Sequence, residues 1–426
     1  MTIARSLSGR ALLFLLPALL CSCASYTSET KAIRSDFRAG QYAGALKALE
    51  DSDLKDQTRN RLLYQMEKSS IVERLGRRKE ARALLLKADR TVDELYRSSL
   101  SGDVASFVYN DSAMDYQGED YEKVAIHTML ALSFLKDDEL KKARVEARRI
   151  NTRLTEINNF YKENKNRYAE DAFARYLAGA IYESLGEWDS AIIEYRAALR
   201  VYQGAYSRYF DTAVPGHLVD ALHALYRKRG RTAEAAKLSR AHKIKTRPAG
   251  YGDLIVLHSL DSITVKTTGE FVMMWDGKPL RFSFPVIRRR ARSWYGRTGV
   301  RVDGRAGFHT GEMVQNMDAI ASGTLEDSRA RIMVKMASRL VLKDQLAQQA
   351  KQNLGGLGEL AVGIYGAVTE TADTRSWTLL PAAIYMTRLS LPAGKHGIRV
   401  VSNGRVSGVR QVRVTPGSIR FLTAWR

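Results

Sequence analysis

The sequence predicts an α+β, multidomain protein: a helical α-solenoid over residues 31–247, then a mainly β, sandwich-like domain over residues 251–426 with a helical insertion at about 325–370. Three observations carry that prediction. From residue 31 to about 245 apolar residues recur three and four apart and prolines are few, which is the pattern of packed amphipathic helices. The cluster from Lys243 to Gly252, with Pro248 and Gly250 inside it, then interrupts the pattern. Beyond it, short runs with strand composition are separated by turn sequences. A chain of 426 residues has room for roughly two or three domains of about 150 residues. With 45% hydrophobic and 27% charged residues, its composition excludes a disordered chain and a multi-span membrane protein.

Residues 1–22 read as an export signal, with Arg5 and Arg10 ahead of an apolar run, Ala11 to Leu20, that is too short to span a bilayer. The chain's 2 cysteines, Cys21 and Cys23, both close this segment, so a disulfide framework and a zinc ribbon are excluded. Leu20-Cys21-Ser22-Cys23 resembles the lipobox of bacterial lipoproteins, with an aliphatic residue at minus three and a small one at minus one. The resemblance implies that Cys23 is the lipid attachment site, diacylated and palmitate-bearing, and that residues 23–30 form a lipidated linker. Several acyl chains on one cysteine hold a membrane stably where a single chain does not. Ala24, where an Asp is absent, resembles lipoproteins sorted to the outer membrane, so the expected location is the bacterial cell envelope, lipid-anchored and facing the periplasm.

Self-similarity organises the helical half. The stretch Tyr176–Leu199 resembles a tetratricopeptide (TPR) repeat: Gly179 where the first helix must be small, Tyr182 between the helices, Gly186 at the turn, and Ala191 where the helices cross closely. Tyr195 and Ala198 complete the pattern. A Gly or Asp followed five residues later by Ala recurs at Gly40 and Ala45, Gly76 and Ala81, Asp138 and Ala143, and Gly230 and Ala235. This spacing predicts about five hairpins in a degenerate TPR-like array. Such hairpins expose an apolar face until neighbours stack on it, and the concave surface of the stack commonly holds a peptide or protein.

One segment, Phe107–Glu122, interrupts the array with an acidic, aromatic loop containing Asn110, Asp111, Asp115, Glu119 and Asp120. Paired carboxylates suit glycan cleavage, and a carboxylate cluster suits calcium, although the EF-hand spacing is absent. The favoured reading places Glu119 and Asp120 at a helix start, where negative charge offsets the helix dipole. Within the next helix, Glu146, Arg148, Arg149 and Asn151 are candidates to pair with this loop.

In the second half, Asp253–His258, Phe271–Trp275 and Leu280–Val286 read as strands, the last two joined by a turn at Asp276-Gly277. Four more follow, Ile384–Leu389, Gly397–Val401, Val409–Val414 and Ser418–Leu422, with turns at Gly394, Gly404 and Gly417. The helical insertion is expected from about Leu325 to Gln352. The pair Asp373 and Arg375 beside Trp377 is expected to form a polar corner locking that insertion to the sandwich.

Charge is uneven. The formal net charge is +21, and residues 251–426 carry 25 basic against 13 acidic side chains. The densest basic patch includes Arg288, Arg289, Arg290, Arg292 and Arg297 around Trp294 and Tyr295. For an exported protein, anionic lipid headgroups or the cell wall are better partners for this patch than nucleic acid, which is not expected. The 7 histidines form no metal-ligand spacing, and no nucleophile elbow or phosphate-cradling loop is present. No cofactor and no metal are expected.

The order of features resembles an uncharacterised family of proteobacterial TPR-like envelope lipoproteins. The resemblance rests on Asn110-Asp111, Tyr116–Glu122, Val145–Asn151, Gly252–Leu257 and Asp373–Pro381. It implies an envelope lipoprotein without a known reaction, and the leading expectation is a non-enzymatic scaffold or accessory factor in cell-envelope maintenance or assembly that binds another envelope protein through its solenoid. The alternatives are a cell-wall hydrolase using carboxylates near Glu119 and a ligand-binding accessory subunit of an export system.

Overall fold

Five backbone reversals organise the helical half of the computed structural model, which describes residues 26–100, 114–160, 166–275, 278–288, 298–354, 372–402 and 404–425. Gly40, Gly76, Asp138, Gly186 and Gly230 all have φ between 60° and 80°, the left-handed region that ends helices. At each, the next residue's N–H closes on a carbonyl five residues back, as in Glu187 to Tyr182 at 2.9 Å and Arg231 to Tyr226 at 2.8 Å. The result is five hairpins: α1 (Lys31–Ala39) with α2 (Tyr42–Glu50), α3 (Arg61–Arg74) with α4 (Arg78–Leu100), α5 (Asp120–Lys136) with α6 (Leu140–Phe160), α7 (Ala172–Ser184) with α8 (Trp188–Val201), and α9 (Gly216–Lys228) with α10 (Thr232–Ala241). Ala45, Ala81, Ala143, Ala191 and Ala235 are all buried where the second helix crosses the first. A π-helical turn, Tyr202–Tyr206, extends α8 and buries both tyrosines.

The strands are β1 (Tyr251–Leu260), β2 (Thr267–Trp275), β3 (Lys278–Val286), β4 (Gly299–Val302), β5 (His309–Thr310), β6 (Glu312–Asn316), β7 (Ala383–Pro392), β8 (Gly394–Ser402), β9 (Arg405–Val414) and β10 (Ile419–Trp425). One sheet has the order β10-β1-β7-β6 and a second the order β5-β4-β8-β9, while β2 and β3 form a separate ribbon. The last strand returns to lie parallel to the first, Asp253 opposite Ile419 through Ser259 opposite Trp425. The two larger sheets stack face to face. Leu254 and Val256 of β1 and Leu389 and Leu391 of β7 meet Val300, Val302, Ile398 and Val400 across the gap.

Because strand side chains alternate, the other face of the first sheet is also apolar: Ile255, Leu257, Ile384, Met386 and Val314. These residues belong to the same hydrophobic cluster as the helices, from Phe37 and Leu63 through Tyr176 to Leu225. Helices, first sheet and second sheet are therefore three successive layers. Residues 247–251 mark a change of secondary structure, and the core runs across it.

The long helix α11 (Met317–Leu354) begins eight residues before the expected Leu325. Met317, Ala319, Ile320 and Ala321 are buried against the core, so its first turns belong to the main body. Strands β4, β5 and β6 had no sequence counterpart, being only 4, 2 and 5 residues long.

Candidate functional site

The repeat residues assemble in the α7/α8 hairpin. A Cβ added to Gly179 would lie 2.4 Å from the Tyr195 ring, so the close approach of the two helices requires glycine there. Tyr195 is buried and donates its hydroxyl to Glu183 at 2.6 Å. Tyr182 accepts from Arg148 of the preceding hairpin at 3.0 Å, Gly186 makes the turn, and Ala191 and Ala198 are buried at the crossing. All six residues pack or turn the hairpins.

The first helices of the hairpins point their polar groups at the protein's own first sheet. The Arg388 side chain of β7 is only 7% exposed and donates to Glu183 of α7 at 2.9 and 3.0 Å, to Asp253 of β1 at 2.7 Å, and to the Tyr195 hydroxyl at 3.2 Å. Burial raises the Asp253 carboxyl, but Arg388, Ser390 and Arg247 outweigh it and hold the group below the ordinary range. His217 of α9 pairs with the Tyr176 hydroxyl at 2.7 Å and the Met386 carbonyl at 3.1 Å, and burial lowers its pKa. Gln315 of β6 donates to Asp171 at 2.8 Å and accepts from Tyr206 at 2.9 Å.

A second set of bonds holds the segment 373–379 against α3 and α5. Glu67 accepts from the backbone N–H of Thr378 and the Tyr26 hydroxyl at 2.7 and 2.9 Å. Glu122 accepts from the Trp377 N–H at 2.7 Å and the Tyr116 hydroxyl at 2.7 Å, and reaches back to the Glu119 N–H at 3.2 Å as a capping box does. Burial, reinforced by nearby Glu119, pushes the Glu122 carboxyl up to about 7. The Trp377 indole donates to Ser70 at 2.9 Å. Arg375 grips Asp373 at 2.7 Å and reaches Asn60 at 3.1 Å and the Met114 carbonyl at 2.9 Å. The polar corner thus locks this segment to the helical array, which corrects the expected lock between insertion and sandwich.

The acidic loop is partly described. Asn110 and Asp111 lie outside the described residues, and Asp115 is exposed. Glu119 sits at the N-cap of α5 and pairs with buried Lys266. Burial lowers the Lys266 pKa, and Glu119, Asp373 and Glu122 together more than reverse that. Asp120 bonds Lys123 at 3.3 Å and Asn166 at 3.0 Å. Both carboxylates therefore anchor a helix start, as the favoured reading has it. The partners of the Val145–Asn151 segment among the described residues lie elsewhere: Glu146 contacts His127, Arg148 contacts Tyr182, Arg149 lies 3.7 Å from Asp89, and Asn151 contacts Glu194. His127 is on the other helix of the same hairpin, and Asp89, Tyr182 and Glu194 are on the neighbouring ones. In the basic patch, Arg288 is exposed just past β3, and Arg289, Arg290, Arg292 and Arg297 lie outside the described residues. Cys23 lies outside them as well.

Sequence reasoning missed Arg388, Glu183, Asp253, Glu67, Lys266 and His127. A signal was present for some of them: α5 and α7 are long apolar runs with few charged residues, so ionisable groups inside those runs, such as His127 and Glu183, fall on buried faces. Among the described residues no group of His, Asp and Glu is arranged to hold a metal ion, and no helix is long and apolar enough to cross a membrane. The buried ionisable groups are tied into hydrogen bonds and ion pairs between layers, an arrangement that fixes shape.

No family model and no curated protein matches the chain. Among solved structures, it is similar to MamA of AMB-1, at 16% identity over 50% of this chain and 86% of that one with a TM-score of 0.30. It is also similar to the apo form of RapI, at 12% identity, 54% and 56% coverage and a TM-score of 0.36. A third is a Podosopora anserina kinesin light chain structure of nearly identical TPR-like repeats, at 13% identity, 50% and 90% coverage and a TM-score of 0.31.

Proposed function

We propose that this protein is a lipid-anchored scaffold or accessory factor of the bacterial cell envelope that holds another envelope protein on the outer face of its helical array. The observation that carries the reading is the five-hairpin array whose first-helix face is covered by the chain's own sheet, so that the second helices supply the accessible surface. Val145 of α6 and Ile193 of α8 are 47% and 65% exposed, each two residues past the packing alanine of its hairpin. Apolar side chains repeated at one position of adjacent hairpins suit recognition of a protein surface.

The lipobox-like residues Leu20–Cys23 support the anchor, with Cys23 as the acylated residue. The excess of arginine and lysine over residues 251–426 supports a strand-rich half turned toward anionic headgroups or wall. No step of this reading needs a cofactor, a metal or a reaction.

A photo-crosslinking residue at position 193 in intact cells tests the partner. One discrete protein adduct is the expected result, and its absence at both 193 and 145 refutes the scaffold. Fractionation of Cys23→Ala tests the anchor separately: the variant should move from membranes to the soluble fraction, and retention on membranes refutes acylation at Cys23.

A further inference from the structure

A cavity of about 430 Å³ opens where the first hairpin, the end of α3 and the ends of both larger sheets meet. It is lined by three guanidinium groups, from Arg38, Arg74 and Arg405, by Tyr42 and Trp425, and by one carboxylate, Asp261. Its size lies within the range of about 300 to 1,000 Å³ typical of small-molecule sites.

Among the described residues, two of the arginines have no carboxylate partner. The Arg74 guanidinium lies over the rings of Tyr42 and Trp425, 4.7 and 5.5 Å from their centroids, and donates to the Tyr42 hydroxyl. Its Nε is shielded from water and makes no hydrogen bond, and no carboxylate among the described residues pairs with it. Arg405, at the start of β9, is exposed and likewise has no carboxylate partner among the described residues. Arg38 lies 4.0 Å from the single carboxylate, Asp261. Elsewhere in the protein partly buried arginines are paired: Arg388, Arg375, Arg153 and Arg82 each contact one or more carboxylates. A guanidinium held in place by aromatic rings, with its charge uncompensated, is organised to receive an oxyanion through its fork of donors. The flanking rings offer a flat apolar surface beside it.

We infer that this cavity binds a small ligand carrying a phosphate ester on a planar or apolar body. The phosphate lies between Arg74 and Arg405, and the body stacks beside Trp425 and Tyr42. This goes beyond the scaffold reading and stands or falls independently of position 193.

Calorimetric titration of the purified full chain with phenyl phosphate tests it, with phenol and inorganic phosphate as controls. Saturable binding of phenyl phosphate is expected, at least about tenfold tighter than either control because each offers only half of the recognition. Arg74→Gln is expected to weaken it by about tenfold. Arg405→Glu, at an exposed position that leaves the fold intact, is expected to do the same by placing a like charge beside the phosphate. The source of the ester is read by competition. Displacement of phenyl phosphate by phosphatidylglycerol vesicles, and not by phosphatidylcholine vesicles, assigns it to a lipid headgroup, while no displacement by either assigns it to a soluble ester. No saturable heat up to about 10 mM, a range that already covers very weak sites, overturns the inference. So does binding that is unchanged in both variants.

Discussion

Helices α5 and α6 belong to one hairpin yet live in different surroundings. In α5 every residue from Val124 to Leu135 is buried. In α6 burial follows a stripe, Ala143, Glu146, Ala147, Ile150, Leu154 and Ile157, and the intervening residues meet water. The same contrast separates α7, buried from Tyr176 to Glu183, from α8, where Ile193 is exposed between buried neighbours and Arg200 is exposed as well. A helix between two layers has no face left for water, so any charge it carries must find a partner inside. A helix on the outside needs only one apolar stripe. The difference teaches that this array is closed on one side by its own chain, and that its ion pairs are worth most on the covered side.

Arg388 offers the most severe test of that contrast. Replacing it with methionine leaves Glu183 buried without its cation and Asp253 with only Arg247, 3.4 Å away, and breaking a buried ion pair from one side costs about 3–5 kcal/mol. Urea unfolding at neutral pH should register that loss. The outer-face counterpart is Arg144, which pairs with Glu187 while both side chains keep about a third of their exposure. Arg144→Met should cost at most about 1 kcal/mol. Equal losses for the two variants would erase the distinction between the covered and open faces.

This contrast was half-legible in the sequence. The turns were readable because a left-handed residue followed five positions later by a small one is a local signature, and Gly40 with Ala45 or Asp138 with Ala143 needs no knowledge of the rest of the chain. The strands β1 to β3 and β7 to β10 were readable for the same reason. What covers the first helices was not, because β1 and β7 look like sandwich strands whichever layer their second face meets. Only the spatial return of β10 beside β1 and the parity that sends Asp253 and Arg388 toward α7 decide it. Lys266 and Glu119 are 147 residues apart, and no periodicity links them. The concave face expected to hold a partner was inferred from the repeat class, and the packing of the first helices against the protein's own sheet is a tertiary fact.

His127 sharpens the comparison through pH. It lies inside the array on α5, its two ring nitrogens 3.2 Å from Asp89 of α4 and 2.9 Å from Glu146 of α6, with Arg149 and Arg153 on the far side of those carboxylates. Burial opposes its protonation, but the bonds to Asp89 and Glu146 prevail and raise its pKa above 6.5. A histidine raised on folding stabilises fully below its unfolded pKa and loses that stabilisation as pH climbs through the folded value. His127→Gln should therefore cost about 1–3 kcal/mol near pH 5.5, and the gap to the parent should narrow above neutrality. Glu122, raised to about 7, also loses stability as pH rises from its unfolded pKa toward 7, but it is present in both proteins and cancels in the difference. A gap that stays constant from about pH 5.5 to 9 would show that His127 is held neutral.

Ile193 carries the smallest effect on stability and the clearest one on recognition. It stands on α8 between Ile192, which is buried, and Glu194, which bonds Arg175 at 3.1 Å, so its own side chain meets solvent while its neighbours hold the helix in place. Ile193→Lys removes no packing and introduces a charge that water can solvate, so the unfolding free energy should change by less than about 0.5 kcal/mol. A desolvated lysine in a protein interface is costly, so the same substitution should abolish a crosslink from position 145 if the two side chains touch one partner. A variant that folds normally and still gives the parental crosslink would remove the outer face of α6 and α8 from the binding surface, and the contrast between covered and open helices would then describe packing alone.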